Sequence, residues 1–421
     1  MKARWILVLL VLIAVAAAMP WVFYDWVHHR QSGFMISMLS QMGMMVILAL
    51  SYNMLLGQAG LFSLCHATFF GIGGYAMVHL LDAAGKDGFP VPMELMPPLA
   101  GCAGLALAAV FGSIAARQRA TAFAMITFGI GELMATSALM FHHFFGGEGG
   151  VSTDRMIDNS LFGLSYASGL QVYYLILAWT VIAIALMYFL TQTPLGRMAN
   201  ATRDNYERAQ FMGYDPRMVR FLQFTLAGFF AGIGGGLYAI TYEIVTFDSL
   251  AAPLSANALL MAYIGGTAVF GGPILGAILI TVLQSGVSLL SNSWLIYVGV
   301  LFIAMVIYAP TGLAGMIVAH GPIRRAGRLR GLIVPYARLV LPGIALVLGF
   351  VGMVELLSFL TIGAAQGKKL VLFGSQIDVQ AALPWALSGG SLLIGAVWLK
   401  FEAGHFHRVW EDLIADLRPN R

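Results

Sequence analysis

FMISMLSQMGMMVILALSYNMLL, residues 34–56, carries no charged side chain and is long enough to cross a lipid bilayer as a helix. A spanning helix needs about 20 consecutive apolar residues. Similar runs recur along the chain, over 5–23, 60–81, 95–116, 120–141, 172–190, 221–242, 256–270, 274–290, 294–308, 332–357 and 384–399. The 421-residue sequence is 59% hydrophobic and only 10% charged. A soluble domain carries about 25% charged residues, so lipid is the expected solvent. The expected fold is all-α: a polytopic transmembrane helical bundle of about ten core helices plus about two more at the C-terminal end.

Charge placement supports that count. With Lys2 and Arg4 on the inside and sides alternating, Arg117 and Arg119 also fall inside. So do Arg197, Arg203, Arg208, Arg217 and Arg220 of the loop 191–220, and Arg324, Arg325, Arg328 and Arg330. The other side receives Asp82, Asp87, Glu94, Glu148, Asp154, Asp158, Glu243 and Asp248, as the positive-inside rule requires; Lys368 and Lys369 are the exception. Both termini are then cytoplasmic. The formal charge of +4 reflects these loop arginines and not a nucleic-acid stripe. The start, Lys2 to Met19, also reads as a secretory signal, but the apolar run continues to Phe23, which favours a retained first helix.

The loop 191–220 is the most informative polar stretch. Asn200 to Met212 is expected to form a short helix with Gly213 as its C-cap. A short exposed helix between two spans suits a soluble partner; an ordinary amphipathic connector is the alternative. The outer run Gly146-Gly147-Glu148-Gly149-Gly150 reads either as a flexible connector or as a docking surface. Polar residues inside apolar runs are costly in hydrocarbon and turn toward an interior. Asn53, Gln58, Ser63, His66, Thr127, Glu132 and Asn257 are therefore candidates for a solute path, with buried hydrogen bonding inside the bundle as the alternative. Glu355, near a helix end, is expected to snorkel to the interface. Cys65 and Cys102 read as small buried side chains, and the pairs His28-His29, His142-His143 and His405/His407 lack companions at metal-ligand spacing.

Nothing reads as an enzyme. No Gly-x-x-x-x-Gly-Lys-[Ser/Thr] phosphate loop, nucleophile elbow or zinc-protease motif is found. Any energy must come from a partner or an ion gradient.

Several segments, in order, resemble the branched-chain amino acid permease family of the LivM type. They are Gly57-Gln58-Ala59-Gly60-Leu61-Phe62-Ser63 with Gly71 to Tyr75, and Ile126 to Glu132. Leu195-Gly196-Arg197, Leu259 to Gly266, Gly271 to Ala277 and Pro310-Thr311-Gly312-Leu313 continue the series. Glu207-Arg208-Ala209 with Gly213 is similar to the Glu-Ala-Ala…Gly coupling motif of ABC importer permeases, with arginine at the middle position. The resemblance implies a permease subunit of an ABC importer in the bacterial inner membrane, carrying branched-chain or other small amino acids or related solutes by alternating access. It implies a second permease subunit of the LivH type, two cytoplasmic ATPase subunits that bind the ATP, and a periplasmic solute-binding protein. No cofactor is expected in this chain. Coupling would fall to Gly196, Arg197, Glu207, Ala209 and Gly213. An ion-coupled transporter or channel using Glu132 and His66, and a membrane scaffold, are the rival readings.

The permease domain is expected over 1–320. Residues 321–421 form an extension with two further spans and an amphipathic tail on which Trp410, Leu413, Ile414 and Leu417 share a face.

Overall fold

The computed structural model describes the chain except residues 1, 23, 26–29, 88–89, 119, 158–159, 162, 290, 364–369, 373–374 and 416–421. His28, His29, Arg119, Asp158, Lys368, Lys369 and Leu417 lie outside the described residues, as do the side chains of Lys2, Arg4 and Asp87.

The chain is helical nearly throughout. Helices α1 (Lys2–Val22) and α2 (Gly33–Asn53) are followed by α3 (His66–Asp87), α4 (Met96–Ala115) and α5 (Ala120–Met140). The short α6 (His142–Phe145) precedes α7 (Gly169–Gln192). Two brief helices, α8 (Pro194–Asp204) and α9 (Tyr206–Phe211), lead into α10 (Pro216–Tyr242). Then come α11 (Ala252–Gly265), α12 (Gly272–Thr281), α13 (Trp294–Tyr308), α14 (Gly312–Ala319), α15 (Gly321–Arg325), α16 (Arg330–Ser358) and α17 (Ala382–Ala415). Among the described residues, 8 helices are long and apolar enough to cross a membrane, or 9 if α13 and its bent continuation through α15 form one span. The chain is a multi-span membrane protein.

The difference from twelve apolar runs has a physical cause. α3 is a 22-residue helix whose composition is too polar to pass as a lipid-facing span, and much of it is buried in protein instead. It also starts at His66 and not at Gly60, because Gly60 to Cys65 are irregular, with Gly60 at φ +65°. α11 has only 14 residues; the segment before it, Ile244 to Leu250, runs back along α3 without forming a long helix, and Ser249 and Leu250 lie against Gly71.

The chain divides into two compact units, Met1–Ser285 with Phe302–Gly315, and Gly286–Leu301 with Met316–Arg421. In the first, α10 is the central helix and packs on α4, α3 and α2. Three glycines four apart, Gly228, Gly232 and Gly236, form a flat stripe on it. A Cβ at Gly232 would lie 2.8 Å from the Ala100 carbonyl oxygen and 3.1 Å from the Gly101 Cα, so α4 approaches backbone to backbone. Lipid supplies no hydrophobic drive between helices, and such close van der Waals contact takes its place. The α1 helix is held to α7 where Tyr173 and Tyr174 donate to the Ala16 and Ala17 carbonyls at 2.7 and 3.1 Å.

The second unit is built on an α16–α17 hairpin closed by small residues. Ser391 donates to the Ala345 carbonyl at 2.8 Å, and Gly349 and Gly395 pack on the opposite backbone. Glu355 does not simply snorkel, since Tyr297 donates to its carboxylate at 2.6 Å. The tail residues Trp410, Leu413 and Ile414 continue α17. Trp410 packs edge-on against His320, centroids 4.8 Å apart, and His320 bonds the Tyr336 hydroxyl at 2.6 Å.

Candidate functional site

Two features stand out in the first unit, an exposed helical elbow and a buried polar break above it. The elbow begins where Thr193 caps α8, its hydroxyl accepting from the Gly196 amide at 3.4 Å, with Pro194 at the first helical position. Both residues favour a helix start. Gly196 is buried, and a Cβ there would meet the Thr191 Cα at 2.7 Å, so α8 folds tightly against the end of α7. Arg197 is exposed.

The single helix expected from Asn200 to Met212 is two helices. Asn205 adopts extended backbone, φ −155° and ψ 103°, and its side chain accepts from the Arg208 amide at 2.9 Å. Asparagine caps better than it continues a helix, which is why the break falls there. The end of α9 forms a Schellman turn: Gly213 donates to Gln210 at 3.0 Å, Tyr214 donates to Ala209 at 3.3 Å, and Gly213 has φ +86°. Ala209 is buried, whereas Glu207 and Arg208 are exposed and Phe211 is 91% exposed. With Asn205 and Met212 these side chains line an open cleft of about 330 Å³. The base is braced: the Arg220 guanidinium lies 5.0 Å from the centroid of the Tyr206 ring and donates to the Gln118 carbonyl at 3.1 Å.

The break lies between α2 and α3. The last turn of α2 widens into a π turn, Met54–Gln58, and the chain then runs without helix or strand to His66. Much of this irregular segment is buried, with Gly60 and Phe62 exposed, so its sheltered amides need partners. Thr127 of α5 accepts from the Leu64 amide at 3.1 Å, and Ser255 of α11 accepts from the Ala67 amide at 2.8 Å. His66, with no exposed surface, bonds the Ser51 hydroxyl at 2.8 Å and packs edge-on against Tyr52. Ser63 contacts the Cys65 sulfur at 3.6 Å. Asn53 and Gln58 are buried with side-chain oxygens that have no hydrogen-bond partner among the described residues.

The structure therefore brings Asn53, Gln58, Ser63, His66 and Thr127 into one region around the break. Two predicted path residues stand apart: Glu132 is exposed on the outward face of α5, and Asn257 is half-buried on α11. Cys102, expected to be buried, is exposed on α4, while Cys65 is buried. The break is not a midspan interruption. It joins the ends of α2 and α3 on the side of the unit where α8 lies, because Arg203 of α8 donates from Nη1 to the Gly57 carbonyl. Sequence reasoning gave no role to Ser51, Ser255, Arg203 or Phe211. Ser51 and Ser255 are polar residues in apolar runs, the same signal that singled out Asn53 and Asn257.

At the opposite end, acidic residues tie the loops to the helix ends. Asp82 accepts from the Thr153 hydroxyl at 2.8 Å, and Glu243 accepts from the Arg155 amide at 3.2 Å. Glu94, buried, accepts from the Leu161 amide at 3.1 Å and the Tyr166 hydroxyl at 2.8 Å. Burial and the adjoining Glu94 carboxylate push the Tyr166 phenol well above its usual value. The glycine run 146–150 is a built turn here, leading into the strand pair Val151–Ser152 and Ile244–Val245. Among the described residues, no three of His, Cys, Asp and Glu gather as a metal-binding group.

Comparison with known proteins extends this picture. Residues 34–310 match the family described as branched-chain amino acid transport system / permease component. The high-affinity branched-chain amino acid transport system permease protein LivM of Escherichia coli (strain K12) is 28% identical over 294 residues, 64% of this chain and 68% of that protein. The nucleoside ABC transporter permease protein NupB of Lactococcus lactis subsp. cremoris is 27% identical over 273 residues, 60% of this chain and 72% of its own. The probable branched-chain amino acid transport permease protein LivH of Methanocaldococcus jannaschii is 29% identical over 171 residues, 38% of this chain and 52% of that protein. No solved structure matches.

Proposed function

Because the chain belongs to the branched-chain amino acid transport system permease family, we propose that it is the membrane-spanning subunit of an ABC importer, moving branched-chain or other small amino acids or related solutes. The α8–α9 elbow is its cytoplasmic contact with separate ATPase subunits, which bind and hydrolyse the ATP. A second permease subunit completes the path, and a periplasmic solute-binding protein delivers cargo at the end bearing Asp82, Glu94 and Glu243. The chain sits in a bacterial inner membrane with both termini in the cytoplasm and needs no cofactor of its own.

One observation carries this reading. Phe211 is 91% exposed beside Glu207 and Arg208, on a helix braced from beneath by Tyr206 and Arg220. An aromatic held out on a rigid polar element is how interface anchors are built, and such anchors dominate binding energy. Nucleotide-driven closure of the ATPases would push this elbow. The break beside it, with Asn53, Gln58, Ser63, His66 and Thr127, would respond by reorienting the path. Relatives named for nucleosides and for autoinducer 2 leave the solute to be found by a transport screen.

The test is co-purification followed by reconstitution. The chain with a second permease subunit and ATPases should support ATP-driven uptake from a loaded binding protein. Phe211→Asp should abolish ATPase co-purification while leaving the chain folded. Solute flux driven by a proton gradient in vesicles holding this chain alone would overturn the proposal in favour of an ion-coupled carrier.

A further inference from the structure

The Arg203 side chain connects the exposed elbow to the buried break. In the π turn that ends α2, Ala59 and Leu61 both direct their amides at the Leu55 carbonyl, Leu61 at 2.9 Å. Leu61 is the residue whose amide a continuing α-helix would have given to Gly57. The carbonyl of Gly57 is thus one of the helix-end acceptors that must find a partner outside the helix. Arg203, from α8, supplies it through Nη1. A guanidinium at a helix C-terminus also meets the negative end of the helix dipole.

The surroundings make this contact a mechanical node. A Cβ at Gly57 would lie 2.6 Å from the Thr267 carbonyl oxygen and 2.9 Å from the Asn53 side-chain carbon. The end of α2, the turn joining α11 to α12 and the Arg203 guanidinium therefore meet at one peptide. The Arg203 stem lies over Gly60, where a Cβ would come within 2.7 Å of its Cγ, and Gly60 has φ +65°. From the exposed side, Asp204 holds the guanidinium with its carboxylate 2.9 Å from Nη2 and 3.0 Å from Nε. The planar fork of arginine serves both acceptors at once; lysine has no such fork.

We propose that Arg203 is a positioning residue that latches α8 to the Gly57 carbonyl, so that movement of the elbow is delivered to the α2–α3 break. The latch rests on the reading of α8–α9 as the ATPase contact. A hydrogen bond stretched much beyond about 3.2 Å is lost, so a displacement of α8 by an ångström or so switches the Gly57 carbonyl between held and released.

The experiment measures solute taken up per ATP hydrolysed in the reconstituted complex with its binding protein. Arg203→Ala should still co-purify with ATPases and hydrolyse ATP, but uptake per ATP should fall about tenfold or more, the scale of one charge-assisted hydrogen bond. Arg203→Lys should fall between Arg203→Ala and wild type. An unchanged ratio in Arg203→Ala overturns the latch, as does loss of ATPase co-purification, which would make Arg203 a docking residue. If Arg203→Ala fails to reach the membrane, the Arg203→Lys ratio decides: a lowered ratio supports the latch and an unchanged one overturns it. Failure of the wild-type chain to associate with ATPases overturns the functional reading itself, and the latch with it.

Discussion

The hydroxyl of Thr127 accepts from the Leu64 amide at 3.1 Å and donates to the Ala124 carbonyl at 2.9 Å. The first of these bonds is needed because Leu64 lies in an irregular segment without a helical partner. Thr127→Val keeps the shape but removes the acceptor of that part-buried amide, and losing one such hydrogen bond costs about 1 kcal/mol. The purified protein should therefore melt earlier in Thr127→Val, whereas Thr127→Ser should stay near wild type. Gly213 is a second case decided by one residue's backbone. Its φ of +86° lies where a Cβ is disfavoured, although nothing lies within 4 Å of the site. Gly213→Val should weaken ATPase co-purification, and Gly213→Asn, which tolerates left-handed backbone, should largely preserve it. Equal behaviour of the two variants would show that the turn is not what presents α9.

At the scale of elements, the first unit depends on how closely α10 meets its neighbours. The stripe at Gly228, Gly232 and Gly236 faces backbone and small side chains of α4. Inserting even one or two methyl groups there forces the helices apart, and overpacking of this kind costs about 1–3 kcal/mol. Gly232→Val should lower thermal stability by that order in a melting assay, while the same change at Gly299 on α13, with nothing within 4 Å, should be silent. The elbow obeys the opposite rule. Capping residues, Thr193 and Asn205, set where α8 and α9 begin, so the polar stretch holds its shape with little hydrophobic burial.

Across the whole molecule, the two ends of the first unit differ in chemistry. One carries Arg197, Arg203, Arg208, Arg217 and Arg220, and the other carries Asp82, Glu94, Glu243 and Asp248. The proposed orientation has a direct check. A cysteine introduced at Gln210 in a background lacking Cys65 and Cys102 should react with a membrane-impermeant maleimide only in inside-out vesicles. One introduced at Asp154 should react only in intact cells or right-side-out spheroplasts. The reverse pattern would invert the topology and sink the ATPase assignment.

The multi-span helical character, the charge difference between the two ends and the Gly213 turn could be read from residues alone, because hydrocarbon imposes composition and capping acts locally, whereas one helix was expected over 200–212 and Asn205 splits it in two. Five of the seven suggested path residues, Asn53, Gln58, Ser63, His66 and Thr127, were legible as polar groups in apolar runs and do lie around one break. Which polar residues partner one another was not legible, since Ser255 meets Ala67 across 188 positions and Arg203 reaches Gly57 across 146. The exposure of Glu132 and Cys102 was equally hidden, because an apolar run does not say which of its faces packs against protein. Composition and local propensity thus determined the solvent, the helices and their caps. Packing in three dimensions alone decided that α3 is sheltered, that α11 is a half-length helix, and that the end of α2 must borrow an arginine from α8 to satisfy its last carbonyls.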